Sequence, residues 1–381
     1  MKVILSVDSI KYPLTGIGRY TRELAHQLAD NAEVSNLKFL HGTRLIDAIP
    51  KAVVSESGAF SGLRRKLLKN RLVVSLYQFS MPRMKGFVLR GQEDHIFHGP
   101  NFYLPPFKGR SVVTIHDLSN YLWPDCHPPE RVRYMRSEIE LSLRRASRLI
   151  TDSEYTRKEA ASFFGWPLEK IHVAKLASAA EFYPRTLGQL TACWKKYDLP
   201  EHGYALFIGT IEPRKNILAL LDAYGALPES VRMRWPLILA GYKGWKSEDI
   251  HDQIERAMRA GWARYLGFLP TDELPLLMAG ARLFVFPSLY EGFGLPVIEA
   301  MASGVPVICS NASSLPEVAG QAALMCGASD VDTLRILIAR GLEDEVWRTS
   351  AVAEGLAQAA RFSWRRCATE TLVAYRAALG D

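Results

Sequence analysis

The sequence has few cysteines, and their arrangement excludes two kinds of stabilised scaffold. Among the 381 residues there are five, and no two of them stand in a Cys-x-x-Cys pattern. Disulfide frameworks and zinc knuckles both need paired, closely spaced cysteines. We therefore expect neither, and we interpret all five as core or surface thiols: Cys126, Cys193, Cys309, Cys326 and Cys367.

The chain also lacks a long apolar run. No stretch reaches the roughly 18 residues that a membrane-spanning helix needs. The apolar segment 3–7 is too short for the core of a signal peptide, and no small-residue cleavage site follows it. We therefore expect a cytoplasmic protein. With 48% hydrophobic and 23% charged residues, the composition is that of a globular chain, and the length suits two domains of about 150–200 residues each.

Acidic residues are absent from segment 57–91, although eight basic residues lie there. Their charge of +8 exceeds the net charge of the whole chain, which is +7. Leucines recur every few residues among these charges, which is typical of a basic amphipathic helix that lies on anionic lipid. A helix whose leucines face the core and whose charges face water is the alternative. Nucleic acid is a third partner to consider, but no recognised nucleic-acid-binding module accompanies the segment.

Short Val/Ile-rich runs alternate with longer segments of helical period. This pattern is typical of βαβ units, which build parallel sheets covered on both faces. The alternation pauses after position 183 in a polar stretch without a strand signal, and then it restarts, which predicts two α/β domains. Strands are predicted over 3–7, 95–97, 112–115, 148–151, 204–208, 236–240, 263–267, 283–286 and 307–308, and helices over 20–29, 131–145, 156–164, 216–224, 250–260, 272–279, 296–302 and 364–379.

The most informative segment, 287–301, reads as the end of a strand, a loop with two glycines, and a helix. Amide groups in such a loop and at a helix N-terminus bind anionic or oxygen-rich ligands, and Gly292 and Gly294 let the backbone approach one closely. Glu291 in the loop and Glu299 on the first turn of the helix can then contact two parts of one ligand. A capped helix with two surface carboxylates is the alternative.

A second segment, 209–216, follows the strand predicted over 204–208 and leads into a helix. In open α/β sheets, ligands bind beyond the carboxyl ends of the strands. Arg214 and Lys215 can neutralise a diphosphate there, since arginine offers a fork and lysine a compact charge. A solvated pair of cations is the alternative. We expect Asn216 to be the N-cap of the helix that follows.

A glycine loop also connects the first predicted strand to the first helix. Gly16 and Gly18 suggest a dinucleotide fingerprint, but Thr21 stands where the third glycine belongs, and no ribose-binding acid follows at the usual distance. We therefore interpret the loop as one that faces a ligand across a cleft, and not as a nicotinamide site.

Two pairs of polar residues follow other strands of the first half. His116 and Asp117 stand at the end of the strand predicted over 112–115, and His98 and Asn101 come after 95–97. A lone histidine is usually structural, but placement at a strand end favours a role in a cleft. We interpret His98 and Asn101 as residues that line the acceptor side.

Motifs for metal, hydrolase and kinase chemistry are missing. Asp330 and Asp332 form the only Asp-x-Asp, and they precede a helical run, so that we interpret them as helix caps and not as metal ligands. No Gly-x-Ser-x-Gly and no phosphate-loop lysine motif occurs. We expect no metal and no cofactor.

Taken together, these segments resemble the retaining glycosyltransferases of family 4, which have the two-domain GT-B fold. The resemblance runs along nearly the whole chain, and the Glu-x7-Glu pair of Glu291 and Glu299 is specific in this context. The segments that carry the resemblance are 15–20, 116–118, 153–157, 212–216, 287–301, 313–318 and 362–364.

The resemblance implies an α/β chain of two facing Rossmann-like domains with parallel sheets and a cleft between them. Residues 1–183 would form an acceptor-binding domain, and residues 184–362 would form a nucleotide-sugar-binding domain. Residues 363–381 would form a helix that crosses back to the first domain.

The resemblance also implies a role for each matching residue. Glu299 would bind the ribose, Glu291 the donor sugar, and Lys215 with Arg214 the diphosphate, while His116 would touch the transferred sugar. The predicted catalytic residues are thus His116, Arg214, Lys215 and Glu291. The base would lie near Phe268, and Gly16 and Gly18 would lie over the diphosphate. The predicted donor-binding residues are Gly16, Gly18, Thr210, Phe268, Gly292, Phe293, Gly294, Leu295 and Glu299. The predicted acceptor-side residues are His98, Asn101 and Asp117.

Two places depart from the pattern of the family, one of which is segment 173–180, where the glycine often seen after the sixth strand is missing. At the other place, many relatives carry an arginine just after the strand-end glycine, where this chain has Thr210. Arg214 is then the residue that we expect to assist Lys215 at the diphosphate.

Within the family, the chain looks most like bacterial mannosyl- and rhamnosyltransferases that build lipopolysaccharide O-chains or exopolysaccharide from GDP-sugars. This implies metal-independent transfer to a lipid-linked saccharide at the inner face of the cytoplasmic membrane. Transfer of glucose or an N-acetylhexosamine from a UDP-sugar is the first alternative. The others are a sugar-nucleotide epimerase or phosphorylase, a dehydrogenase, and a non-catalytic sugar-binding protein at the membrane surface.

Overall fold

The computed structural model describes residues 1–51, 71–201 and 203–380, and these residues contain two β-sheets. The strands of the first sheet are β1 (Lys2–Ser6), β2 (Asn36–His41), β3 (Arg44–Ile46), β4 (Ile96–Gly99), β5 (Ser111–Ile115), β6 (Arg148–Thr151) and β7 (Ile171–Val173). Those of the second are β8 (Ala205–Ile208), β9 (Leu237–Ala240), β10 (Ala263–Tyr265), β11 (Leu283–Phe286), β12 (Val307–Ser310) and β13 (Ala323–Cys326).

Helices follow most of the strands. In the part of the chain that contains β1–β7, the N-terminal half, they are α1 (Gly16–Ala29), α2 (Arg71–Val88), α3 (Ser119–Leu122), α4 (Pro129–Arg145) and α5 (Glu154–Phe164). In the C-terminal half they are α6 (Leu187–Tyr197), α7 (Ile217–Gly225), α8 (Glu229–Arg234), α9 (Glu248–Arg259), α10 (Leu274–Ala279), α11 (Leu295–Ala302), α12 (Leu315–Ala319), α13 (Val331–Glu343), α14 (Glu345–Ala359) and α15 (Trp364–Leu379).

Both sheets are built from parallel strands. The first has the order β3-β2-β1-β4-β5-β6-β7, in which only β3 runs antiparallel to its neighbour. The second has the order β10-β9-β8-β11-β12-β13 and is parallel throughout. This is the strand order of a Rossmann fold, which places ligands beyond the carboxyl ends of the strands. The predicted α/β class with two parallel sheets is confirmed.

The core follows from the two-residue period of buried strands. In β1, Ile4 belongs to one apolar cluster, while Val3 and Leu5 on the other face belong to a second cluster. The second cluster continues without a break into the C-terminal half, where it includes Tyr204 and Phe286. One hydrophobic core therefore links the two sheets.

The last helix, α15, has the bounds predicted for it and packs against the first sheet. It contacts α1 and the strands β4–β7. Thr371, Leu372 and Tyr375 are fully buried, and the indole Nε1 of Trp364 donates to the carbonyl oxygen of Ser178 at 3.1 Å. The boundaries that we predict at 183/184 and 362/363 remain predictions.

Several elements were missed by sequence reasoning. The strands β2, β3, β7 and β13 are short or carry polar residues such as Asn36 and His41, so that their alternation is weak. The stretch after position 183 has no strand, as predicted, but it forms helix α6. A capping box explains the start of this helix. The side chains of Thr186 and Gln189 each accept a hydrogen bond from the backbone amide of the other residue.

The basic segment is described only in part, because residues 57–70 lie outside the described residues. Its last part forms α2, and there Lys85 is buried, with its Nζ 2.5 Å from Oδ2 of Asp8. Lys85 is therefore not one of the charges that could face lipid. Within the described ranges, no helix combines the length and apolarity that crossing a bilayer requires.

Candidate active site

The two halves meet at the loop 287–294, which leads from β11 into α11. The carbonyl oxygen of Gly292 accepts hydrogen bonds from Ser153 Oγ at 2.7 Å and Thr156 Oγ1 at 3.1 Å, both of which belong to the N-terminal half. The hydroxyl of Tyr290 accepts one from the amide of Leu118 at 2.9 Å. The segment that the sequence marks as most informative is therefore part of the contact between the halves.

Both glycines of this loop are required by the backbone and by close packing. Gly294 has a φ of +109°, and a Cβ there would lie 2.7 Å from Leu315. A Cβ on Gly292 would lie 1.9 Å from the carbonyl oxygen of His116. Leu295 begins α11, and Phe293 is buried beneath the loop. The predicted close approach at Gly292 is thus made here by the backbone of the other half.

Glu291 lies in a cluster of charged side chains at the ends of β8 and β11. Its Oε1 is 2.5 Å from Nζ of Lys215, and its Oε2 is 3.4 Å from Nη1 of Arg214. Arg214 also bonds Glu212 at 2.8 Å and donates to the carbonyl oxygen of Tyr290 at 2.7 Å. Two cations therefore face two carboxylates, and all four side chains are buried.

Burial and charge shift the pKa values in this cluster in different directions. Burial alone would raise the pKa of Glu291, but the neighbouring Lys215 and Arg214 charges lower it below its usual value. Burial and the Arg214 charge together lower the pKa of Lys215. A buried cation that is already held in place is the kind of group that can stabilise developing negative charge without reorganisation.

Asn216 occupies the N-cap position of α7, but its side chain does not cap the helix. Its φ is +58°, and its amide donates to the carbonyl oxygens of Pro287 at 3.0 Å and Ala328 at 2.6 Å. The predicted N-cap position is therefore confirmed, although the side chain makes no capping hydrogen bond. Asn216 instead holds the loop that carries Glu291 against the end of β8.

Glu299 lies on the second turn of α11, not the first, and it faces the N-terminal half. Its Oε1 accepts a hydrogen bond from Nη1 of Arg19, which lies on α1. Each of the two side chains is only 9% exposed. Burial raises the pKa of Glu299 above its usual value even though the Arg19 charge opposes the rise. Sequence reasoning missed Arg19, although the residue stands within the 15–20 segment.

The two glycines at the start of α1 have different surroundings. Gly16 is exposed, and a Cβ there would come within 3.6 Å of Leu295, so Gly16 faces the N-terminus of α11. Gly18 is buried, and a Cβ there would lie 2.6 Å from the carbonyl oxygen of Ser9. Gly18 permits close packing of the chain against itself, and its predicted place over a diphosphate stays a prediction.

His116 is held by hydrogen bonds at both ring nitrogens. Nδ1 lies 2.7 Å from Oδ2 of Asp152, and Nε2 lies 2.9 Å from the carbonyl oxygen of Pro100. Both partners are acceptors, so both nitrogens carry protons. Burial lowers the pKa of His116, but the charge and hydrogen bond of Asp152 and the Pro100 carbonyl together raise it above its usual value. The two hydrogen bonds therefore fix the orientation of the ring, and the backbone carbonyl of His116 adjoins Gly292.

His98 does not line a cleft, and the prediction that placed it there is wrong. It is fully buried, with Nδ1 2.7 Å from the hydroxyl of Tyr375 and Nε2 2.8 Å from that of Thr114. Burial lowers its pKa to about 3. His98 thus joins the C-terminal helix to the first sheet.

The other predicted acceptor-side residues lie nearer the surface. Asn101 is partly exposed. Asp117 accepts a hydrogen bond from the amide of Ser119 at 2.8 Å. Burial would raise the pKa of Asp117, but the Arg214 charge and the bond from Ser119 lower it. Asp117 is therefore near the charged cluster, and the acceptor-side role of both residues stays a prediction.

The structure also has a pair of stacked aromatic rings in the C-terminal half and a cavity between the halves. Phe268 stacks on Tyr242 with ring centroids 4.2 Å apart, and both rings are partly exposed. Thr210 is partly buried and packs against Gly244, where a Cβ would come within 2.9 Å of its methyl group. A cavity of ≈ 300 Å³ is lined by residues from both halves, namely Tyr12, Leu14, Arg19, Arg22, Glu181, Phe182, Thr271, Asp272 and Pro275.

Two features bear on metal binding. Asp330 caps α13 by accepting from the amide of Thr333 at 2.9 Å, as predicted for a helix cap. Across the ranges that the structure describes, no group of three or more His, Cys, Asp or Glu side chains is arranged to hold a metal ion.

Comparison with known proteins connects this geometry to a family. The family described as "Glycosyl transferases group 1" matches residues 195–361. "O-antigen chain mannosyltransferase B" of Escherichia coli is 47% identical over 380 residues, which cover 99% of this chain and 100% of that protein. The chain belongs to the group 1 glycosyltransferases. The predicted family and enzyme class are confirmed.

More distant relatives agree with this assignment. The "Serotype-specific mannosyltransferase WbdA" of E. coli is 34% identical over 272 residues, which cover 68% of this chain and 32% of that protein. Among solved structures, Anabaena HepE in complex with UDP and glucose superposes with a TM-score of 0.67 at 16% identity and 99% coverage of both chains. WaaG, "a glycosyltransferase involved in lipopolysaccharide biosynthesis", gives 0.66 at 13% identity, with coverage of 97% of this chain and 98% of that one. At these identities the two structures show the shared fold alone, and they confirm the predicted GT-B arrangement.

Proposed function

We propose that this glycosyltransferase moves a mannosyl residue from GDP-mannose to a lipid-linked saccharide during assembly of O-antigen. The observation that carries the proposal is the full-length similarity, at 47% identity, to a relative named as an O-antigen chain mannosyltransferase. The second relative is also named as a mannosyltransferase. Rhamnose and exopolysaccharide, which the sequence left open, are the neighbouring possibilities that these names disfavour.

The charged cluster supplies the chemistry that such a transfer requires. When the bond between the sugar and the diphosphate breaks, positive charge builds on the sugar ring and negative charge on the departing phosphate. Lys215 and Arg214 are fixed cations at the end of β8 and would stabilise that phosphate without a metal. Glu291, which bonds both of them, would bind the donor sugar. Its carboxylate therefore couples the position of the sugar to that of the cations.

Glu299 would bind the ribose hydroxyls, and Phe268 with Tyr242 would form the wall beside the base. His116 would lie near the transferred sugar. Closure of the halves would exclude water and limit hydrolysis of the donor. We expect retention of configuration at the transferred carbon.

Calorimetric titration with GDP, UDP, ADP and NAD, with and without EDTA, tests the proposal. We expect tight binding of GDP alone that EDTA does not change. Preference for UDP would contradict the donor while leaving the family intact, and it is the outcome to watch because HepE was solved with UDP. Preference for NAD, or no nucleotide binding, would contradict the transferase site itself.

We also propose that the protein associates with the inner face of the cytoplasmic membrane through the basic segment 57–91. At the end of α2, Met84 is 50% and Phe87 is 65% exposed, and the guanidinium of Arg90 lies 4.8 Å from the ring centroid of Phe87. Exposed apolar side chains beside basic ones favour an anionic lipid surface.

Sedimentation with vesicles tests this second proposal. The protein should bind phosphatidylglycerol-containing vesicles more than neutral ones, and the difference should fall as salt screens the charges. Phe87→Ser should reduce binding several-fold, which is about 1 kcal/mol. Val346→Ser, a matched change of an exposed apolar side chain on α14, should not. If the protein binds vesicles at no salt concentration, the basic residues of the segment face water and do not bind lipid.

A further inference from the structure

Arg19 and Glu299 connect the two halves at the carboxylate to which the proposed function gives the ribose. Arg19 is the fourth residue of α1, and Glu299 is the fifth of α11. The guanidinium donates from Nη1 to Oε1 of Glu299, and it also lies 5.5 Å from the ring centroid of Phe182. Both side chains are 9% exposed. The pair is therefore desolvated, and it joins a helix of the N-terminal half to a helix of the C-terminal half.

Arg19 and a bound ribose would share this carboxylate, of which Arg19 already bonds Oε1. A buried carboxylate needs hydrogen bonds or a counter-charge, and Arg19 supplies both here. Ribose hydroxyls that approach Glu299 would donate to the same group. Arg19 also lines the cavity of ≈ 300 Å³ between the halves, so its guanidinium is beside open space and not enclosed on every side.

We propose that Arg19 and the donor's ribose compete for Glu299, so that donor binding exchanges this ion pair for hydrogen bonds from the ribose. The inference rests on the proposed function and deepens it, because it makes Arg19 a positioning residue of the same site. The released guanidinium lies on the cavity wall, where it can interact with the diphosphate. Arg19 therefore opposes binding of the nucleoside part and favours binding of the charged part.

This exchange predicts effects of opposite sign for two ligands. In Arg19→Met, no ion pair has to be broken, so guanosine should bind at least about fivefold more tightly, which corresponds to about 1 kcal/mol. GDP should bind at least about fivefold more weakly, since the variant lacks the cation that turns to the diphosphate. A residue that only stabilised the fold would weaken both ligands together.

Arg340 provides a control outside the cavity. It lies on α13, and its guanidinium pairs with Asp344 at 3.4 Å, with half of its side chain exposed. Arg340→Met removes the same charge and should change guanosine and GDP affinity by less than about twofold, as is usual for an exposed pair. Equal effects of the two substitutions would mean that Arg19 acts only through its overall charge, and this would overturn the exchange.

The experiment is calorimetric titration of the full-length wild type and both variants with guanosine and GDP. Unchanged or weaker guanosine binding by Arg19→Met, in a wild type that binds GDP, overturns the exchange but leaves the proposed function standing. A wild type that binds no nucleotide overturns both. If Arg19→Met does not fold, Arg19→Lys tests the same point. Its shorter ammonium holds Glu299 less firmly, so guanosine affinity should rise by a smaller factor, and a fall would overturn the exchange.

Discussion

The two glutamates of the Glu-x7-Glu segment are buried to a similar extent, but they are stabilised in different ways. Glu291 bonds two cations, Lys215 and Arg214, which belong to its own half of the chain. Glu299 bonds one cation, Arg19, which belongs to the other half. Accordingly, the pKa of Glu291 is lowered and that of Glu299 is raised, since burial is overcome only at Glu291.

The site around Glu291 is therefore formed by the C-terminal half alone. The site around Glu299 needs a residue of the N-terminal half as well. The Glu291 cluster is assembled by the ends of β8 and β11, which are neighbours in one sheet. The surroundings of Glu299 change if the halves move apart. We therefore expect the chemistry of transfer to depend on the first glutamate's cluster, and nucleotide binding to depend on the second.

The largest effect that this comparison predicts is on the rate of transfer. Lys215→Ala should lower kcat by about 1,000-fold, as expected when a group that stabilises developing charge is lost. GDP affinity should change far less, because Arg214 would remain as a cation beside the diphosphate. Steady-state kinetics with GDP-mannose and calorimetry with GDP measure the two quantities.

Lys196→Ala is the control for this substitution. Lys196 also bonds a glutamate in the C-terminal half, Glu273 at 2.5 Å, but its side chain is 56% exposed. It should behave as wild type. If Lys215→Ala keeps kcat within tenfold of wild type, the charged cluster does not act on the departing phosphate.

The next effect concerns nucleotide binding. Glu299→Ala should raise the dissociation constant of GDP by about 10- to 100-fold, the usual worth of hydrogen bonds to a charged group. kcat at saturating donor should fall much less, which reverses the pattern of Lys215→Ala. Calorimetry measures the affinity, with Glu345→Ala as the control because that carboxylate pairs with Arg282 and is 69% exposed. Equal GDP affinity in wild type and Glu299→Ala would refute the ribose assignment.

The smallest effect concerns pH, and it contrasts two buried histidines. His116 has a raised pKa, so its charged form stabilises the fold below the ordinary histidine pKa of about 6.5. That stabilisation is lost as pH rises through the raised value in the folded protein. Asp152→Asn removes the charge that opposes the effect of burial, so the pKa of His116 should fall.

Histidine ring resonances followed by NMR between pH 5 and 9 measure this shift. His98 is the internal control, because its pKa of about 3 keeps it neutral over that range. Urea unfolding should show that acidification from pH 9 to pH 6 stabilises the wild type more than Asp152→Asn. Equal responses would mean that Asp152 does not hold the proton on His116.

Local rules made the fold and the loops at the carboxyl ends of the strands predictable from the sequence. The strand-end positions of Glu291, Arg214 and His116 follow from alternation of strands and helices, and parallel strands place their carboxyl ends at one edge. Gly292 and Gly294 follow from the same reasoning, since only glycine fits where backbone approaches backbone or φ is positive.

Contacts between distant segments were not predictable in this way. Arg19 and Glu299 are 280 residues apart, and His98 and Tyr375 are 277 apart. Which side chain of a strand-end pair faces the core and which faces the cleft depends on the packing of α15 and of the other half. The role of Asn216 was missed for the same reason, because its amide bonds two loops that lie far away in sequence.

The central claim is tested most directly by a transfer reaction with purified full-length protein. The donor is GDP-mannose or UDP-glucose, and the acceptor is a synthetic mannoside with a lipid aglycone. NMR of the product gives its anomeric configuration. The account predicts transfer from GDP-mannose alone, undiminished by EDTA, with an α-linked product. Transfer from UDP-glucose alone, loss of activity with EDTA, or a β-linked product would contradict it.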